Sequence, residues 1–283
     1  MRYASTVLRA RTLSIWFAAI TVMASGSALA EEVLSDEPAD TLKYVVGLAA
    51  TSSSNYPGSA NNEFKLWPLW ALQYGRLRIS TSRAGGFMSN ASETVNPGAS
   101  AELIRHDRLK IGAGLRIDGG RSPSDDPLLA SLPEIRRTLR ARVYASYAIT
   151  DQWGVSTGIT QDLLGREGGA TALMDTSYRT RLSPQTELLL GGGLSFGNGK
   201  YMNSYFGVPQ ASSLQSGLPA YQPGAGIRDV HAAIGLTTHL SDRWIIFGAL
   251  NLSRLLGDAA SSPLTQKSSN VGGSIGLAYR CCD

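Results

Sequence analysis

Histidine and carboxylate side chains on one face of one segment are the first place to look for chemistry. In residues 228–240, Asp229, His231 and His239 fall on one side of a period-two alternation. Val230, Ala232, Ile234 and Leu236 fall on the other. A serine hydrolase would also need a serine and an orienting Asp or Asn within hydrogen-bond reach of the histidine. No spacing along the chain supplies that set. Gly112-x-Gly114 and the run Gly191 to Gly193 lie inside alternating segments and open no helix, so they are not phosphate loops. The only cysteines, Cys281 and Cys282, are adjacent. They offer neither C-x-x-C metal spacing nor a disulfide framework. The expectation is no catalytic residue, no cofactor and no metal site.

The elements that carry these residues read as strands. After residue 40 the chain alternates apolar and small or polar residues in about twelve segments: 43–51, 63–74, 76–86, 99–106, 108–118, 136–149, 152–164, 169–182, 186–197, 227–240, 244–256 and 270–281. In the last, Val271, Gly273, Ile275, Leu277 and Tyr279 alternate with Gly272, Ser274, Gly276, Ala278 and Arg280. Many of these runs reach ten residues or more, whereas globular strands average about five or six. A tilted membrane strand needs about nine to eleven. The connections alternate as well. Short turns such as Tyr74-Gly75-Arg76, Thr150-Asp151-Gln152 and Ser241-Asp242-Arg243 take turns with long loops at 52–62, 87–98, 119–135, 198–226 and 257–269. One rim of tight turns and one of long loops is the pattern of an all-β, transmembrane antiparallel barrel with periplasmic turns and extracellular loops. Twelve strands are expected; ten or fourteen also fit. Helical periodicity is nearly absent beyond the first thirty residues.

Those thirty residues read as a secretory signal peptide. Arg2, Arg9 and Arg11 precede an apolar run at 13–24, and Ala28-Leu29-Ala30 makes a cleavage site. Its three basic residues account for three of the formal +4, leaving +1 for the remainder. A balance that even points away from nucleic acid as a partner. Residues 31–42 read as an acidic periplasmic tail and 43–283 as the barrel, in a Gram-negative outer membrane with lipid and lipopolysaccharide around it.

The faces then assign candidate roles. Arg140, Arg142, Arg179 and Arg181 read as a pore-like cluster in the lumen, with Arg228, Asp229 and His231 as further lumen charges. Both signs are present, so a salt-bridged, mostly filled or narrow lumen is expected. Trp70, Tyr74, Trp153, Trp244 and Tyr279 stand near strand ends, as an aromatic girdle would. The longest loop, 198–226, has the length of a folded lid or a contact surface, with Tyr205, Phe206 and Tyr221 as its contact residues.

Three stretches carry a family resemblance. Tyr205-Phe206-Gly207-Val208 with Gly217-Leu218-Pro219-Ala220-Tyr221 and 224–230 (GAGIRDV) is the first. Ser253 to Pro263 (SRLLGDAASSP) is the second. Tyr56-Pro57-Gly58 with Trp67-Pro68-Leu69 is the third. In these the chain resembles the MipA/OmpV family of MltA-interacting proteins, over essentially the whole length after the signal. The resemblance implies an outer-membrane barrel that is not an enzyme. It implies a scaffold joining a murein lytic transglycosylase to a bifunctional penicillin-binding protein, and so a link to peptidoglycan remodelling in the cell envelope. A narrow pore or solute channel, an adhesin and, third, a hydrolase using His231 stay open as alternatives.

Overall fold

The computed structural model describes residues 41–81 and 98–281. The alternating segments are strands: β1 (Leu42–Ser54), β2 (Asn62–Tyr74), β3 (Leu77–Ser80), β4 (Gly98–His106), β5 (Leu109–Asp118), β6 (Thr138–Ala148), β7 (Trp153–Asp162), β8 (Ala170–Arg181), β9 (Thr186–Gly197), β10 (Gly226–His239), β11 (Trp244–Leu255) and β12 (Ser269–Cys281). Each pairs antiparallel with its chain neighbours, and β1 pairs with β12 to close a twelve-stranded barrel. The closing seam runs in unbroken register from Tyr44↔Cys281 to Ser52↔Gly273. Closure leaves no strand edge, which is the condition for a sheet to stand in lipid without unpaired amides. Among the described residues no helix is long and apolar enough to cross a membrane.

The expected strand at 76–86 is described only as Leu77–Ser80, because residues 82–97 lie outside the described residues. The signal peptide, most of the 31–42 tail, Cys282 and Asp283 also lie outside them, and Leu42 already belongs to β1.

The period-two pattern sorts the side chains as a barrel requires. Leu48, Leu66, Val143, Ile159, Met174, Leu250 and Ile275 stand outward, each more than half exposed. Their alternates face in: Ala49, Arg142, Asp175 and Ala278 are all buried. Trp70, Tyr74, Trp153 and Trp244 are exposed on the outer face. Two outer aromatic pairs sit by the short turns, Trp153–Tyr178 at 4.9 Å and Trp244–Tyr279 at 5.4 Å between ring centroids.

The interior is less uniformly polar than the alternation suggests. Val45, Ala49, Leu69, Ala71, Ile245, Phe247 and Ala278 form an apolar cluster inside the wall of β1, β2, β11 and β12. Gly276 makes room for it: a Cβ there would lie 2.2 Å from Cζ of Phe247. The glycine matters here for the ring that crosses it.

The long loops are folded, and they contain short helices where the sequence shows almost no helical period. They hold α1 (Gly199–Phe206), α2 (Gln210–Ser216), α3 (Gly257–Ala260) and a 3-10 turn at Pro127–Leu129. Asn198 caps α1 by accepting from the Tyr201 amide at 2.9 Å. Gly217, at φ 73°, ends α2 in the left-handed conformation that favours glycine. Eight- and seven-residue helices are too short to show a period in sequence and form because they pack. Their packing makes a cap over the loop rim in two clusters. One joins Ile135, Tyr201, Met202, Tyr205, Phe206, Leu255 and Ala259. The other joins Tyr56, Leu129, Leu132, Val208 and Leu264, with Leu218 and Tyr221 against it. Four separate loops thus share one small core.

Leu250 sits mid-strand on the outer face of β11, paired with Gly273 on one side and Ile234 on the other. Leu250→Arg is expected to destabilise the barrel in vesicles by about 2–4 kcal/mol. Urea titration of the heat-modifiable band on unboiled gels measures it.

Candidate functional site

The polar side chains that face the lumen near the loop rim form one connected network. It starts at the end of β5, where Asp118 accepts from Arg140 Nη1 at 2.7 Å and from the Tyr205 phenol at 3.3 Å. Arg140 is 6% exposed, so its charge requires such a partner. Its other nitrogen donates to the backbone carbonyls of Gly168 and Gly169. The guanidinium also lies 5.5 Å from the centre of the Tyr201 ring, and Arg228 lies 5.6 Å from the same ring. Both guanidiniums thus lie within cation–π range of the Tyr201 ring. It stacks on Tyr205 at 4.5 Å, and Arg228 Nη1 donates to its phenol oxygen at 2.8 Å.

From Arg228 the network continues down β10. Arg228 Nε donates to Asp229 at 2.5 Å, and Ser195 on β9 donates to the same carboxylate at 2.5 Å. The other Asp229 oxygen faces His231 Nδ1 at 3.0 Å, and His231 Nε2 faces Asp175 on β8 at 2.7 Å. Gly193 on the intervening strand leaves the space for this bridge. A Cβ there would stand 2.3 Å from Asp175 Oδ1 and 2.9 Å from His231 Nε2.

Serine, aspartate and histidine thus meet, but not as a catalytic triad. Ser195 gives its proton to Asp229 and makes no bond to His231. Both imidazole nitrogens are held by carboxylates, so neither is turned to a serine as a general base. His239 is eight residues further along β10, about 26 Å away at strand rise. Among the described residues no group of His, Cys, Asp or Glu is arranged to hold a metal ion.

Three sequence expectations change in this geometry. Arg140, Arg142, Arg179 and Arg181 do not form one cluster. Arg142 stands level with Thr160 and Thr171, eight residues from Arg179 along β8. The two pairs lie at opposite ends of the barrel, about 26 Å apart. Arg140 and Arg142 are buried near the loop rim, with Arg142 over the Tyr144 ring at 5.2 Å. Arg179 and Arg181 sit by the turn rim, 3.8 and 3.7 Å from Glu187. The alternation had put all four on the inner face, and it carries no information about height along the axis.

Tyr205 and Phe206 are not a contact surface. They are 7% and 0% exposed, packed into the cap. Tyr221 is half-buried, donating to the Asp258 carbonyl at 2.9 Å. Arg121 Nη1 donates to the Tyr205 carbonyl at 2.9 Å, tying the 119–135 loop to α1. Burial, with Asp118 beside it, pushes the Tyr205 phenol far above its ordinary range and keeps it a neutral donor. Burial pushes the Tyr56 phenol up to about 12. It donates to the Leu264 carbonyl at 3.1 Å. Ser195 and Tyr201 are the members that the sequence reading did not name. Asp118 and Asp175 had the inward parity of lumen charges, but their partners come from strands and loops far away in the chain.

Residues 46–281 match the sequence family described as MltA-interacting protein MipA. The chain belongs to the MipA family. This MipA-family protein is an outer-membrane barrel: a closed antiparallel sheet with an apolar outer face, tight turns on one rim and long loops on the other. Solved structures similar to it include the NanC porin, at 10% identity and a TM-score of 0.45, covering 83% of this chain and 100% of that one. The KdgM porin follows at 9% and 0.40, covering 83% and 98%. The toluene transporter TbuX of Ralstonia pickettii stands at 12% and 0.38, covering 86% and 90%. No protein of curated function matches the chain.

Two adjacent glycines differ in the space they leave. Gly193→Ala is expected to cost about 1–3 kcal/mol, because its Cβ would meet both the Asp175 carboxylate and the Met174 carbonyl of β8. Gly192→Ala, whose Cβ meets only the His231 carbonyl at 3.4 Å, should cost less than half of that in the same urea titration. The cap has its own readout. Tyr56 has a raised folded pKa, so its contribution is whole below pH 10, its unfolded value, and is lost as pH rises toward 12. Ultraviolet difference titration against Tyr56→Phe should lose one phenolate transition near pH 12.

Proposed function

We propose that this barrel is a structural scaffold of the outer membrane, tied to murein-remodelling enzymes through its periplasmic side, rather than an open pore. The observation that carries this reading is the cap. Loops from four places pack into one core over the loop rim, and beneath it the lumen charges are spent on each other. A wall built this way is a rigid support. The family description, MltA-interacting protein, supports a lytic transglycosylase as the partner. A bifunctional penicillin-binding protein is the second partner in the same assembly.

In this reading residues 1–30 are a signal peptide removed on export, and the acidic tail at 31–42 with the short turns is the docking surface. Trp70, Tyr74, Trp153, Trp244 and Tyr279 act as the membrane-interface girdle. No residue is catalytic. Lumen charges such as Arg140, Arg142, Arg228, Asp229 and His231 hold the barrel shut and do not select solutes.

Cross-linking in envelopes at native abundance, followed by purification of the full chain, is expected to recover a murein transglycosylase; recovery of no murein enzyme overturns the scaffold. Purified protein in planar bilayers is expected to show near-zero conductance. Replacing Tyr201 and Tyr205 by Ser, which unpacks the cap, should raise it. Steady ion-selective conductance of the native chain, altered by Arg140→Gln, would establish the channel reading instead.

A further inference from the structure

The other end of the lumen is built differently. Inside β3 to β8, by the short turns, lies a cavity of about 250 Å³. Six basic side chains line it: Arg76, Arg78, Arg105, Arg108, Lys110 and Arg179. Among the described residues only two acidic ones do, Glu102 and Asp151. Glu102 is already held by Arg105, whose Nη2 donates to Oε2 at 2.8 Å. Arg179 forms an ion pair with Glu187 at 3.8 Å. Several of the others make bonds to neutral acceptors. Arg76 donates to the Leu103 carbonyl at 3.4 Å, Arg108 to the Ile149 carbonyl at 2.6 Å and Arg78 to the Gln73 side chain at 3.2 Å. Such bonds fix the direction of a guanidinium, and the excess of positive charge is one of number along the described lining. The contrast with the loop end, where Asp118, Asp175 and Asp229 balance the cations, lies within one barrel.

A concave wall with an excess of one charge and low-dielectric surroundings concentrates ions of the other sign. Arginines in a fixed fork suit carboxylate and phosphate oxygens. The volume suits a small molecule and excludes a folded partner. Tyr144 is the inward-facing aromatic residue of the lining. We infer that this vestibule is a binding site for a small soluble anion bearing carboxylate or phosphate groups, entered from the periplasmic side. The inference does not rest on the scaffold role and holds whether or not a murein enzyme docks.

Calorimetric titration of the full chain, folded in non-ionic detergent, with inorganic pyrophosphate and with tartrate tests it. Saturable one-site binding that weakens with added salt is expected. Arg78→Gln with Lys110→Gln should lower the affinity at least tenfold, and Lys267→Gln on the opposite rim should leave it unchanged. Absence of saturable binding, or equal affinity in the double variant, overturns the site. The same titration in nanodiscs separates the sources of the anion. Equal affinity in phosphatidylcholine and phosphatidylglycerol discs supports a soluble ligand, and loss in phosphatidylglycerol assigns the cations to lipid headgroups and overturns it. A second arm removes no cation. Ser156→Cys, with Cys281 and Cys282 replaced by Ser, should react about tenfold faster with an anionic methanethiosulfonate than with a cationic one. Equal rates, or a faster cation, overturn the inference even if the double variant fails to fold.

Discussion

Inside a bilayer no water is present to bond a backbone amide, so each strand must find partners on both sides. The pairing of β1 with β12 meets that demand, and most of the molecule follows from it. Once the sheet is closed every residue has an inside or an outside. The side-chain period of two then decides which residues meet lipid and which meet each other. Trp153 and Trp244 fall at the start of their strands on the outer face, where an amphipathic ring is at home between headgroups and water. Glycines inside the wall serve the same closure, because a narrow barrel brings facing side chains over neighbouring backbone, as Phe247 over Gly276.

Closure also traps charge. A guanidinium or carboxylate taken from water must be compensated within the wall, and the barrel does this unevenly along its axis. At the loop end Arg140, Arg228, Asp118, Asp175, Asp229 and His231 complete one another, with Tyr201 of α1 near both arginines and Tyr205 stacked on it. At the turn end one wall is apolar and the opposite wall is basic. Among the described residues the charges under the cap are thus paired, and the basic cavity lies at the other end.

The strands, their number, the order of short and long connections and the identity of the two faces were legible in the sequence. Each depends on local alternation over about ten residues, as in Val271 to Arg280. Tyr205 and Phe206 were misread for a definite reason: aromatic residues in a long loop look alike whether they face a partner or a core. Only their burial against Ile135, Leu255 and Ala259 separates the two. Arg140 and Arg179 share a face and a charge, and the pattern that places them on that face is blind to which end of the barrel each occupies. Ser195, Asp229 and His231 come together through the register of β9 on β10, which follows from closure and no local motif.

What the residues determined by themselves was a two-faced sheet able to live in lipid, because alternation at every second position is a property of a strand before it has neighbours. What tertiary structure alone decided was the use of the inside: which charges cancel, which remain, and that four loops make one cap. Those outcomes are contacts between positions as far apart as Tyr56 and Leu264. Distance along the chain says nothing of such contacts until the sheet has closed and fixed which strands stand side by side.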